Sequence, residues 1–249
     1  MVIELAKDII VVGILPTYNL KNEDNDPYKD VASFIRMYEE VIEECGAVPV
    51  GILNKNVEIY TEICDAYVWP GGTYIRREFY PLLVDAIKNH KPFLGICMGM
   101  QAITTFFNIL EDNKDGLTYE ETYQKNKVDK PYIVSLDEDK KPLHLHYVTK
   151  DEESIKSAMH KIFIVDNTFM KEIYDTSSIF VPSMHGHTVA RITNNLIVSA
   201  RSEDNVIEAV EYHDNDSYIL GVQYHPELVK DKKIFTWLVN KAHKKVSND

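Results

Sequence analysis

The chain has 249 residues, of which 45% are hydrophobic and 27% charged, enough apolar material to bury a sizeable core while keeping a soluble surface. A net charge of -12 argues against a surface built for nucleic acid or an anionic membrane. The three cysteines, Cys45, Cys64 and Cys97, are too few and too odd in number for a disulfide framework, so a reducing compartment with free thiols is expected.

In chain order, residues 1–8 lack the basic start and long apolar stretch of a secretory signal, and no apolar run approaches a membrane span, which leaves the cytoplasm as the expected location. Residues 9–15 form a β-branched run ended by Pro16 and read as a strand. Val31, Phe34, Ile35, Tyr38, Val41 and Ile42 recur at steps of three and four, predicting a helix over 30–45 that Gly46 terminates. Strands are predicted at 48–53, at 67–69 before Pro70-Gly71-Gly72, and at 92–96, with a helix over 79–89 between the last two. Strands alternating with helices imply a mainly parallel sheet flanked by helices, an α/β fold with right-handed crossovers. Residues 111–161 are rich in Asp, Glu, Lys and Asn and are read as a surface excursion within one domain spanning 1–249. Strand signals resume at 179–181, 196–200, 206–212 and 218–224, giving the second half a strand-rich region, and 234–243 read as a closing amphipathic helix.

The run Gly95-Ile96-Cys97-Met98-Gly99-Met100-Gln101 ends the 92–96 strand at a cysteine between two glycines and enters a helix expected to begin near Met98. This is the logic of a nucleophile elbow with sulfur in place of oxygen. A helix N-terminus lowers a thiol pKa through its unpaired amides, and a neighbouring imidazole can take the proton. Downstream, His225-Pro226-Glu227 offers that imidazole and a carboxylate to orient it. Pro226 keeps His225 out of the helical region, and in an extended segment residues two apart share a side. Both segments follow buried strands, so in a parallel sheet they share the carboxyl edge with the Pro70-Gly71-Gly72 turn, where the Gly72 and Met98 amides can flank a developing oxyanion. The other two cysteines, Cys45 and Cys64, read as inert packing.

The pattern Pro70-Gly71-Gly72, Gly95-x-Cys97-x-Gly99-x-Gln101 and His225-Pro226-Glu227 resembles the signature of the class I glutamine amidotransferase superfamily, in the same order. Val12-Gly13-Ile14-Leu15-Pro16, Gly46-Ala47-Val48-Pro49-Val50, Met184-His185-Gly186-His187 and the run 200–211 extend the likeness toward the stand-alone γ-glutamyl hydrolase branch, which includes the γ-glutamyl-γ-aminobutyrate hydrolases. The resemblance implies a flavodoxin-like fold, a Cys97-His225-Glu227 triad and a substrate with a γ-glutamyl group joined to nitrogen. It implies oxyanion amides from Gly72 and Met98, and a pocket for the glutamyl head lined by Gly71, Gln101, His185, Gly186 and His187. No cofactor or metal is expected, and no nucleic-acid or membrane partner; a homodimer is compatible. Three departures bear on substrate choice. Thr73-Tyr74-Ile75-Arg76-Arg77 replaces a longer acidic loop, Met98 stands where the branch often has arginine, and His187 where it often has glutamine.

The alternative within the superfamily is a glutaminase subunit that feeds ammonia to a synthetase partner. Two readings from other classes are a catalytically silent binding protein and a metal protein using the His-x-His pairs His144/His146 and His185/His187. Arg76 and Arg77 are candidates for holding a substrate carboxylate, a surface turn being an equally good reading.

Overall fold

The computed structural model describes residues 9–20, 30–53, 56–113, 118, 121, 132–212 and 216–246. The opening eight residues and much of the polar excursion after residue 113 lie outside them. Among the described residues a nine-stranded sheet forms the centre, in the order β4-β1-β5-β6-β13-β12-β11-β8-β9. Its strands are β1 (Val11–Ile14), β4 (Val48–Gly51), β5 (Ala66–Trp69), β6 (Phe93–Ile96), β8 (Met159–Ile164), β9 (Ser178–Pro182), β11 (Leu196–Ser202), β12 (Ile207–Tyr212) and β13 (Ile219–Val222). From β4 through β13 the neighbours run parallel; β12, β11, β8 and β9 extend the sheet antiparallel. Two small two-stranded antiparallel sheets pair β2 (Thr17–Leu20) with β3 (Asp30–Ser33), and β7 (Ile133–Ser135) with β10 (His187–Val189). This is a flavodoxin-like α/β architecture with a strand-rich second half.

Helices cover both faces. They are α1 (Arg36–Glu44), α2 (Glu58–Ile63), α3 (Tyr80–Lys88), α4 (Met98–Asp112), α5 (Lys141–His144), α6 (Glu152–Ser157), α7 (Phe169–Tyr174) and α8 (Lys232–Val246). The central strands are buried along their whole length, as parallel strands covered on both sides must be, and their side chains alternate between two cores. Val12, Ile14, Ala66, Val68, Leu94, Ile96, Leu220 and Val222 point to a core shared with α1, α7 and α8. Tyr67, Trp69, Phe93 and Ile219 point the other way, against α3 and α4. Residues Met98 to Ile109 of α4 are all buried; Met100 packs with Val210 of the sheet and with Val189 of the small β7/β10 sheet. No helix among the described residues is long and apolar enough to cross a membrane.

Two expectations change and one element is new. The helix predicted over 30–45 is two elements: residues 30–33 pair with β2, and α1 starts only at Arg36, with Tyr38, Val41 and Ile42 as its buried stripe. Spacing alone could not separate them, because Val31, Phe34 and Ile35 fit a helical period although the first of these belongs to a strand. Helix α2 is not anticipated: it spans only six residues, and none of them is buried. The polar excursion contributes more than surface: it carries α5 and α6, β7 and the start of β8, a full member of the sheet.

Candidate active site

Strand β6 ends at Ile96, and the next residue, Cys97, takes φ 52 and ψ -107 before α4 begins. A non-glycine residue in such a conformation costs on the order of 1–3 kcal/mol and persists only where its surroundings fix it. Here they do: the Cys97 amide donates to Val222 O at 2.7 Å, and its carbonyl accepts from Gln101 N at 3.2 Å. The left-handed residue is thus the cysteine and not either flanking glycine. The glycines serve close approach instead. A Cβ on Gly95 would sit 2.6 Å from the carbonyl carbon of Gly99, and one on Gly99 would sit 2.9 Å from the Trp69 carbonyl carbon and closer still to its oxygen.

The second segment leaves β13 at Val222. Its path is fixed by backbone bonds from Gln223 N to Glu208 O (2.8 Å) and from His225 N to Pro182 O (3.0 Å). Glu227 lies in a 3-10 turn spanning Pro226–Val229, not in the extended segment the sequence suggested. The turn still brings its carboxylate to the ring, and His225 Nδ1 lies 2.7 Å from Glu227 Oε1. Burial alone would lower the His225 pKa, but the Glu227 carboxylate and then Cys97 outweigh it and hold the imidazole well above its ordinary value of 6.5. A protonated imidazole beside the sulfur is the partner that a thiolate needs.

The Pro70-Gly71-Gly72 turn closes the third side. A Cβ on Gly71 would stand 2.9 Å from His225 Cε1 and 3.3 Å from Cys97 Cβ, and one on Gly72 would stand 3.2 Å from Met98 Cε. All three segments therefore meet at the carboxyl edge of the parallel strands. Cys97 is 9% exposed, and it opens onto a cleft of about 400 Å³ lined also by Gly72, Tyr74, Met98, Gln101 and His185. A more open groove of about 650 Å³ between α7 and α8 is lined by neither a cysteine nor a histidine.

The remaining predicted residues hold the cleft wall. Gln101 Nε2 donates to Gln223 Oε1 (3.2 Å) and to the His187 carbonyl (3.4 Å). The same carbonyl accepts from His185 Nδ1 at 2.9 Å, and the Gly186 carbonyl accepts from Leu136 N at 2.9 Å. Of the variant loop, Thr73, Tyr74 and Ile75 line the cleft; Arg76 and Arg77 do not, and Arg76 Nε is paired with Glu78 at 2.7 Å. Tyr38 was read from sequence only as part of a helix face. Its phenol is fully buried, and burial followed by the Glu227 carboxylate raises it well above 10, so it stays a neutral hydroxyl beside the His225–Glu227 pair. The other buried thiol, Cys64, is pushed up to about 12, chiefly by burial. Iodoacetamide at pH 8 should therefore leave Cys64 unmodified in the folded protein; peptide mass mapping that finds it alkylated would contradict this packing.

The chain matches the peptidase C26 family over residues 71–227, from the first glycine of the closing turn to the carboxylate beside His225. It belongs to that family. Among curated relatives it is 26% identical to the glutamine amidotransferase-like protein RP404 of Rickettsia prowazekii, over 92% of this chain and 94% of that one. It is 29% identical to CTP synthase of Thermosipho africanus, over 78% of this chain but only 39% of the synthase. Among solved structures, the glutaminase domain of Trypanosoma brucei CTP synthase with bound acivicin superposes with a TM-score of 0.62 at 17% identity, covering 94% of each chain. This peptidase C26 member is thus a glutamine amidotransferase-like hydrolase on the fold that the sequence implied.

Proposed function

We propose that this protein hydrolyses the amide bond of a γ-glutamyl substrate through a thioester on Cys97. The observation that carries the reading is the convergence at one cleft of a sulfur in strained backbone, an imidazole raised in basicity, and a carboxylate 2.7 Å from that imidazole. Cys97 Sγ attacks the γ-carbonyl. The oxyanion forms between the amides of Met98, at the open N-terminus of α4, and Gly72, which packs against Met98. His225 gives its proton to the departing nitrogen, then takes one from the water that cleaves the thioester. Glu227 accepts from Nδ1, which keeps Nε2 turned toward the sulfur.

The cleft lining has no Asp, Glu, Lys or Arg among the described residues. Recognition of the amino-acid head then rests on Gly71, Gln101 and the backbone of the wall from His185 to His187. The replaced loop, with Tyr74 and Ile75, shapes the space for the leaving amine.

A mass-spectrometric screen of γ-glutamyl amides tests the reading, with glutamine, γ-glutamyl-γ-aminobutyrate and polyglutamylated folate among them. Hydroxylamine should divert the thioester to γ-glutamyl hydroxamate. A screen with neither turnover nor hydroxamate would reject it. Glu227→Gln should lower kcat/KM by about 10²–10⁴-fold with little change in KM, because the imidazole loses its orienting charge. A variant within threefold of the parent would remove Glu227 from the mechanism.

The likeness to the glutaminase part of CTP synthases favours one second reading, a glutaminase that supplies ammonia to a separate synthetase. In that case glutamine alone among the amides is cleaved, and slowly until the partner is added.

A further inference from the structure

At and behind the cleft wall, polar side chains from four separate segments meet in the buried interior. His144 ends α5, His160 lies on β8, Glu208 on β12, and His185 in the loop before β10. Their exposures are 0%, 3%, 0% and 3%. Glu208 Oε1 lies 3.2 Å from His144 Nδ1, 3.5 Å from His185 Nε2 and 3.7 Å from His160 Nε2. Only half of the predicted His-x-His pairs takes part: His146 Nε2 contacts the Leu143 carbonyl, and His187 is exposed in the cleft.

The outer nitrogens fix the tautomers. His144 Nε2 lies 3.1 Å from both oxygens of Asp204, and His185 Nδ1 lies 2.9 Å from the His187 carbonyl, an obligate acceptor. Each of those nitrogens carries a proton, so in the neutral rings His144 Nδ1 and His185 Nε2 present lone pairs toward a carboxylate oxygen. The inner atoms are close, yet not aligned as donor to acceptor. His144 Nδ1, both nitrogens of His160, His185 Nε2 and both oxygens of Glu208 are buried without a hydrogen bond. Lone pairs facing one another in so buried a pocket need something positive between them.

A divalent cation meets that need in the form the distances suggest. Tetrahedral zinc with bonds of about 2.0–2.1 Å separates its ligand atoms by about 3.4 Å, close to the Glu208–histidine spacings. One ligand atom each from His144, His160 and Glu208 falls within 4.8 Å of the others. An imidazole anchored by a carboxylate at its far nitrogen, as His144 is by Asp204, is the usual outer arrangement of a zinc-binding histidine.

We propose that His144, His160 and Glu208 bind a structural divalent cation of the zinc class, with His185 closing the site on the cleft side. The ion ties β8 and β12 to the end of α5 and to the loop that carries the wall from His185 to His187. It takes no part in bond cleavage, and the site stands or falls independently of the γ-glutamyl reading.

The test uses untagged full-length Cys97→Ala protein, so that the reactive thiol cannot hold metal and no activity is read. Elemental analysis should find close to one zinc per chain after gel filtration. Stripping with a strong chelator should lower Tm by about 5 °C or more, and added zinc should restore it. Cobalt(II) added to the stripped protein should give the visible bands of a tetrahedral nitrogen-oxygen site without thiolate charge transfer, a readout that needs no substitution in the core. His160→Gln should lose the metal and His146→Gln should keep it. Less than a tenth of an equivalent, with no thermal shift and no cobalt bands, would overturn the site and leave a proton-sharing network. Thiolate charge transfer would place the ion at Cys45 or Cys64 and overturn it equally.

Discussion

Cys97→Ala should remain folded and lose at least about 10⁴-fold in turnover of whichever amide the protein cleaves, because no other group in the cleft can form the covalent bond. Alanine keeps the Cβ, so the backbone strain at φ 52 persists, while the lost sulfur was already in contact with the cleft; stability should change by no more than about 1 kcal/mol. The variant also removes one of the groups that raise the His225 pKa, so the imidazole becomes less basic although its bond to Glu227 remains. Cys97→Gly should be equally inactive yet melt no lower than Cys97→Ala. Relief of about 1–3 kcal/mol of strain outweighs the roughly 0.5–1 kcal/mol of added chain entropy. Turnover above a tenth of the parent value in either variant would rule out the thioester.

The largest effect on stability is expected from Gly99→Ala. The new Cβ would lie within 2.9 Å of the Trp69 carbonyl carbon, and the obstacle is backbone that cannot rotate aside. Helix α4 must then withdraw from β5, yet twelve of its residues are enclosed and have nowhere to go. Overpacking typically costs about 1–3 kcal/mol, and here the upper end or beyond is expected, because no flexible side chain can absorb the methyl group. The same movement pulls the Met98 amide and Cys97 from their places, so activity falls with stability. Gly186→Ala is the contrast: its Cβ would meet only Leu145 side-chain carbons at 3.5 and 3.6 Å, an ordinary contact. Urea unfolding of the two variants decides the matter, and a Gly99→Ala midpoint equal to the parent's would mean that the helix does not approach the strand this closely.

What could be read from sequence was local. Gly95 to Gln101 and His225 to Glu227 are short runs in which residue order implies geometry, and both lie at the predicted edge of the sheet. The pattern of apolar runs gave the parallel half of the sheet for the same reason: Val68 or Leu94 needs no distant partner to declare a buried strand. What stayed hidden depends on long-range pairing. Residues 30–33 carry a helical spacing and become a strand only because β2 is opposite. The His144, His160, His185 and Glu208 group draws one residue from each of four segments, and no spacing encodes that. The His-x-His pairs singled out His144 and His185, but nothing in the sequence joined them to His160 or to Glu208, a charged residue whose burial on β12 only the fold reveals.

Strand β6, which delivers the sulfur, and β13, which leads to its base, are hydrogen-bonded neighbours with Ile96 opposite Val222. About half the polypeptide separates them, so this pairing closes one of the longest loops in the sheet, a kind of contact that forms slowly. During synthesis Cys97 leaves the ribosome well before any acceptor for its proton exists. Its reactivity is therefore a property of the finished molecule alone: the nascent chain carries an ordinary thiol until its closing segment slots between β6 and β12.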